Sequence, residues 1–148
     1  MVKKHLRSVA STFIIGIMFG AFANVVLAAT ATSNELEYGP INGFIYKNNS
    51  TVSSDWTPDE VASQTHVNNK NGGEVPTGYM GAQTDLYKTT GLCSASDVYY
   101  NPLSTVGYGV IIYANCGSGT YYSKGTTYAY NGNGYNSYNT YQSPNINF

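Results

Sequence analysis

Between Val75 and Cys116 the chain alternates. Met80, Ala82 and Leu86 share one parity, and Tyr79, Gln83, Asp85 and Tyr87 share the other. Further on, Val106, Tyr108, Val110, Ile112 and Ala114 alternate against Ile111 and Tyr113. A period of two belongs to a β-strand with one buried face, because successive side chains leave a strand on opposite sides. The residues that fill the rest of the chain agree with this pattern. Tyr, Asn, Gly, Ser and Thr are abundant while Glu, Lys, Leu and Arg are scarce, a mix that lacks good helix formers and supplies strands and tight turns.

Taken in order, Pro40–Lys47 reads as a first strand and Asn48–Thr51 as a turn. Thr57-Pro-Asp-Glu60 has the form of a helix start: Thr57 as cap, Pro58 at the first helical position and Glu60 closing a capping box. The tract Ser63–Val67 has little helix propensity, so at most one or two turns are expected, with Thr65–Val67 already extended. Asn68–Gly73 is a turn. A strand follows from Pro76, then a turn at Thr89–Gly91, a returning strand over Leu92–Tyr100 and a break at Asn101-Pro102. The strand around Val110 is the most apolar and is expected at the centre of its sheet. Gly117–Gly119 turns the chain into a strand over Tyr121–Tyr130, and Asn131–Gly134 leads to a closing segment through Tyr141. Turn signals every ~8–12 residues with strands between them are the mark of a sandwich or barrel. The expected fold is an all-β antiparallel sandwich of Greek-key or meander type, with at most one short helix and one disulfide.

Residues 1–28 have the layout of a secretory signal peptide. Lys3, Lys4 and Arg7 form the basic end, Phe13–Ala23 the apolar segment, and Val26-Leu-Ala28 a cleavage site, with Ala31 as an alternative cut. The apolar run is shorter than the ~20 residues of a spanning helix, so no membrane anchor is expected after cleavage. Residues 29–37 read as a flexible leader and 38–148 as a single domain. The part beyond residue 28 holds four lysines against eight acids, a net charge of −4, and no arginine. Without a basic stripe, nucleic acid is not an expected partner.

Two cysteines in an exported chain point to one disulfide, Cys93–Cys116. Closing that loop constrains the unfolded chain by about 3 kcal/mol in the entropic account.

Reactive chemistry is sparse. His66 is the only histidine beyond the leader, in a polar tract and with no nucleophile elbow in the chain, so neither a serine nor a cysteine nucleophile has a base. Two carboxylates suffice for glycoside hydrolysis, and Asp85 and Asp97, on consecutive expected strands, are the pair to consider. Asp55, Asp59 and Glu60 lack the loop spacing of a calcium site. No catalytic residue, metal ligand or cofactor is assigned. The aromatic surplus is the feature left over: all fifteen tyrosines follow residue 28. A tyrosine is a rigid platform with a polar tip, suited to stacking on a sugar or packing at an interface, and equally a residue that stabilises sheets through cross-strand pairs. Trp56, Tyr128, Tyr130, Tyr135, Tyr138 and Tyr141 are the candidate ligand-binding residues.

Pro76-Thr-Gly-Tyr-Met-Gly-Ala-Gln83, Tyr128-Ala-Tyr-Asn-Gly-Asn-Gly-Tyr135 and Thr140-Tyr-Gln-Ser-Pro-Asn145 resemble segments of small, uncharacterised secreted proteins of Bacillus-type Gram-positive bacteria. The resemblance implies an exported β-protein and transfers no active residue. The expected function is non-catalytic recognition, outside the cell, of a glycan or surface protein through a Tyr- and Asn-rich sheet face. The alternatives are a bacteriocin-like or membrane-active protein and, less readily, a small glycosidase.

Overall fold

The computed structural model describes residues 29–148, so the segment read as a signal peptide lies outside it. The described chain forms eleven strands and no helix: β1 (Thr30–Thr32), β2 (Leu36–Ile41), β3 (Phe44–Ser53), β4 (Val61–Asn69), β5 (Met80–Lys88), β6 (Gly91–Ala95), β7 (Tyr99–Tyr100), β8 (Gly107–Ala114), β9 (Thr120–Tyr130), β10 (Tyr135–Asn139) and β11 (Ile146–Asn147). They pair antiparallel in two sheets. The first runs β1-β3-β4-β8, with β2 also on β3; the second runs β10-β9-β5-β6, with β11 also on β9 and β7 also on β5. The chain crosses between sheets after β4, β7 and β8, so β4 and β8 become neighbours in one sheet and β5 and β9 in the other. Packed face to face, the sheets make the expected sandwich.

Two apolar clusters lie between them. Tyr38, Ile41, Tyr46, Val67, Val75, Met80 and Ala129 fill one end. Val52, Val61, Leu86, Tyr121 and Ile146 fill the other. The middle is a belt of small polar residues: Asn48 and Ser50 of β3, Ser63 and Thr65 of β4, Thr84 of β5, and Ser123 and Thr127 of β9, all buried. Hydrogen bonds cross the gap within this belt, from Ser63 Oγ to Ser123 Oγ (2.6 Å) and Thr84 Oγ1 (2.9 Å), and from Asn48 Nδ2 to Thr127 Oγ1 (2.7 Å). A buried polar group loses little only when it is paired, and most of these are paired, with one another or with backbone carbonyls, while Thr65 Oγ1 and Asn48 Oδ1 have no partner among the described residues. Gly125 completes the belt by its lack of a side chain. A Cβ there would lie 1.8 Å from Thr65 Oγ1 and 2.6 Å from the carbonyl oxygen of Gln83.

Cys93 on β6 and Cys116 just after β8 are bonded, with Cα atoms 6.1 Å apart. The disulfide therefore ties the edge of the second sheet to the edge of the first.

Several local expectations are corrected. Pro40–Lys47 is two strands: Asn42 and Gly43, at φ 48° and 87°, make a two-residue turn between β2 and β3. Asn-Gly is the favoured pair for such a turn because both residues must take positive φ. The expected turn Asn48–Thr51 is the middle of β3, held extended by the bonds of Asn48 and of Ser50, whose Oγ donates to the carbonyls of Ser123 and Tyr141 at 3.1 and 2.8 Å. Within the expected flexible leader, Thr30–Thr32 pairs with Thr51–Ser53, and the Thr30–Ser53 and Thr32–Thr51 hydroxyls bond across the strands. The helix start at Thr57 is a bend. Thr57 Oγ1 donates to the Glu60 carbonyl at 3.2 Å, and the chain passes directly into β4. The expected strand Leu92–Tyr100 is interrupted at Ser96–Val98, where Ser96 exchanges bonds with the Thr84 backbone. Finally, the apolar strand β8 is not central. Its one partner among the described residues is β4, and Ile111 and Tyr113 face outward.

Candidate functional site: the outer face of the second sheet

On the outer face of the second sheet, β5 and β9 run side by side over their whole length, in the register Gly81↔Tyr128, Gln83↔Thr126, Asp85↔Lys124 and Tyr87↔Tyr122. Directly opposed residues share a face. All eight of these positions therefore look outward, and the core residues Met80, Ala82, Thr84 and Leu86 take the alternate parity.

At one end Tyr87 and Tyr122 stack with ring centroids 5.1 Å apart and planes 5° from parallel. The ammonium of Lys124 lies over both, 5.8 and 5.6 Å from the two centroids. At the other end five tyrosines meet. Tyr100 of β7 packs against Tyr128 (6.3 Å) and Tyr135 (4.4 Å), Tyr130 against Tyr135 (5.6 Å), and Tyr79 against Tyr130 (5.0 Å). The Tyr100 ring packs against bare backbone, since a Cβ on Gly81 would come within 2.7 Å of it. Hydroxyls hold this group rigid: Tyr135 donates to the Gly78 carbonyl (2.7 Å), Tyr130 to that of Gly132 (2.9 Å) and Tyr128 to Gln83 Oε1 (3.4 Å). Six residues of strand, roughly 20 Å at ~3.3 Å each, separate the two aromatic groups.

Between them runs a polar strip. A depression of about 300 Å³ is lined by Asp85, Tyr87, Lys124, Thr126 and Asn139. Thr126 Oγ1 donates to Asn139 Oδ1 at 3.0 Å. Asp85 and Lys124 oppose each other in register, yet the ion pairs among the described residues are Lys47–Glu35 and Lys70–Glu37. Lys124 is drawn over the rings, and partial burial without a counter-ion raises the Asp85 pKa above the ordinary carboxylate value. The strip thus offers a carboxylate, an amide and a hydroxyl beside two stacked rings. Ala95, not Asp97, stands opposite Asp85 on β6.

Of the six candidate residues, Tyr128, Tyr130 and Tyr135 come together on this face. Tyr138 does not: it turns inward and stacks on Tyr38 at 3.9 Å. Its parity decides this, since Tyr138 pairs with the buried Thr127. Trp56 lies elsewhere, in a larger hollow of about 550 Å³ with Asp55, Pro58, Ser118 and Phe148. That hollow sits on an irregular bend, whereas the sheet face holds its side chains on rigid strands. Tyr141 is exposed beyond the end of β10. Tyr87, Tyr100 and Tyr122 join the face although they were not among the candidates. Parity placed both Tyr79 and Tyr87 opposite the core, and for Tyr79 this is corrected: it precedes β5 and closes the end of the sandwich, packing against the first apolar cluster and edge-on to Phe44 at 6.1 Å while touching Tyr130. Only the β5–β9 register shows which of the outer rings meet.

His66 sits on the outer face of the first sheet. Its ring lies over Gly107 and Gly109, with Nδ1 3.3 Å from Asn68 Nδ2, and burial, helped by the charge of Lys47, lowers its pKa. Among the described residues no helix is long and apolar enough to cross a membrane. No family model matches the chain, and neither a curated protein nor a solved structure does.

Proposed function

We propose that this is an exported, non-catalytic recognition protein that binds an extended glycan across the outer face of its second sheet. The observation that carries the reading is the parallel, stacked Tyr87–Tyr122 pair beside a strip of Asp85, Thr126 and Asn139, with Gln83 opposite Thr126. A sugar ring has a face of C–H groups and an edge of hydroxyls. The electron-rich faces of tyrosine attract the first, and amides, hydroxyls and a carboxylate hydrogen-bond the second. The aromatic group at Tyr100 and Tyr128, roughly 20 Å along the strands, provides a second platform for a chain of several sugars. The Cys93–Cys116 disulfide supports a site of action outside the reducing cytoplasm.

The test is retention of the purified protein on insoluble cell-wall polysaccharide, compared with Tyr87→Ala, Tyr122→Ala and Tyr128→Ala. Losing one platform is expected to weaken binding about tenfold, equivalent to ~1.4 kcal/mol. Asp85→Asn tests the strip, with a smaller loss expected. Full retention by both the Tyr122 and the Tyr128 variants would exclude this face, and release of reducing sugar would move the protein to the glycosidase class.

A further inference from the structure

A sandwich has two edges to each sheet, and an unpaired edge strand offers its backbone N–H and C=O groups to any other strand. Three of the four edges here carry the usual protections. On the first sheet the far edge is split between β1, of three residues, and β2, which contains Pro40, shifts register after Tyr38 and is flanked by the Glu35–Lys47 and Glu37–Lys70 ion pairs. On the second sheet one edge is divided between β6, whose pairing with β5 shifts register, and the two residues of β7, followed by Pro102. The other is divided between β10 and β11, with Pro144 between them.

β8 has none of these devices. It runs for eight residues in unbroken register with β4 and contains no charge and no proline. Its outward side chains Ile111 and Tyr113 are 39% and 44% exposed. The same flank carries further exposed apolar groups: Val106 just before β8, and Leu92 and Tyr99 on β6 and β7, whose sheet edge the disulfide ties to this one.

We propose that β8 pairs antiparallel with β8 of a second copy, joining two first sheets into one continuous sheet. The strand is self-complementary in size about Ile111. With Ile111 opposite its own copy, Tyr113 meets Gly109 and Tyr108 meets Ala114, so every aromatic faces a residue with little or no side chain, and Val110 meets Ile112. The same relation occurs within the chain, where Tyr100 lies on Gly81. Charge matters as well. Each described chain carries four lysines and eight acids, so two copies repel, and β8 offers a contact surface without charge. A closed two-fold contact of this kind is self-limiting, because the described residues of each copy form a single such edge.

The two-fold axis of an antiparallel strand pair is perpendicular to the sheet. Both copies therefore turn the outer faces of their second sheets to the same side. Bivalent binding of one polysaccharide follows if that face binds glycan; the pairing itself does not rest on the glycan reading.

Sedimentation equilibrium of the purified protein tests it. The expected result is a concentration-dependent mass of two chains for the natural sequence and of one chain for Ile111→Lys. Circular dichroism should be unchanged, because Ile111 is already solvent-facing. Register is read independently from Ile111→Cys. Paired residues in an antiparallel ladder have Cα atoms about 4.5–5.5 Å apart, within disulfide range, so this variant should oxidise to a covalent dimer while Tyr113→Cys should not. A protein that stays monomeric at about 100 µM overturns the proposal, leaving the edge for a foreign strand or for none. So does a dimer that persists in both Ile111→Lys and Tyr113→Lys. Neither result touches the glycan test, whose variants lie on the other sheet.

Discussion

Ser63 is the residue on which the polar belt turns, and replacing it with alanine should be far more damaging than its size suggests. A serine hydroxyl has one proton to give and two lone pairs to fill. Ser63 Oγ has three neighbours: the Asp85 carbonyl at 3.1 Å, Thr84 Oγ1 at 2.9 Å and Ser123 Oγ at 2.6 Å. The carbonyl can only accept, so Ser63 must donate to it, and Thr84 and Ser123 must therefore both donate to Ser63. Ser63→Ala strands two hydroxyl protons in a region with no solvent access, since Thr84 and Ser123 are fully buried. At ~1–2 kcal/mol for each orphaned donor, the loss is roughly 2–4 kcal/mol. That is a large share of the ~5–15 kcal/mol that holds a domain of this size. Thermal unfolding should fall by about 8–16 °C at ~4 °C per kcal/mol. Ser123→Ala, by contrast, leaves Ser63 with an unfilled lone pair only and should cost about 1 kcal/mol. Urea titration of both variants, with unchanged slope, makes the comparison. Equal losses for the two, or a loss below ~0.5 kcal/mol for Ser63→Ala, would falsify this order of donors.

The aromatic platform, the buried phenols and the disulfide give further expectations. Gly81→Ala pushes Tyr100 off the sheet, because the new methyl would meet its ring at 2.7 Å. The ring is partly exposed and can swing away, so stability should drop by only about 1 kcal/mol while glycan retention drops with that of Tyr128→Ala. Tyr46 is fully buried and burial pushes its pKa from 10.0 up to about 12; burial raises Tyr38 further still. A folded pKa above the unfolded one contributes stability that is complete below pH 10 and is lost as pH rises toward 12. Alkaline unfolding, followed by circular dichroism and tyrosinate absorbance together, should therefore begin above pH 10, with these two phenols titrating only as the fold opens. A steady tyrosinate increase that includes all the rings, with no loss of fold through pH 12, refutes this. Joint replacement of Cys93 and Cys116 by alanine should cost about 3 kcal/mol in denaturant titration. A change of less than 1 kcal/mol would mean that the two sheet edges stay docked without their link.

The parity of the strands was legible in the chain. Met80, Ala82 and Leu86 are buried and Gln83, Asp85 and Tyr87 are not, as the alternation requires. The disulfide followed from there being two cysteines. Local chemistry misled where distant partners outweighed it. Asn48–Thr51 is written like a turn, yet Asn48 finds Thr127 79 residues away and Ser50 finds Ser123 73 residues away, and those bonds keep the segment straight. The Asn42-Gly43 turn was visible in principle, hidden by the apolar residues on both sides of it. Strand β8 is apolar on both parities, a pattern that a central strand covered on two faces and an uncovered edge strand share.

By itself, then, the sequence determined the class of fold, the sulfur pairing and the parity of each long strand, because those depend on neighbours one or two residues apart or on there being a single pair to make. Which strands lie side by side was decided only in three dimensions. The register of β5 against β9, which brings Tyr87 to Tyr122, is a relation between segments some 35 residues apart. It is selected by how well the whole buried belt and both apolar clusters close at once. No short window of the chain contains that condition.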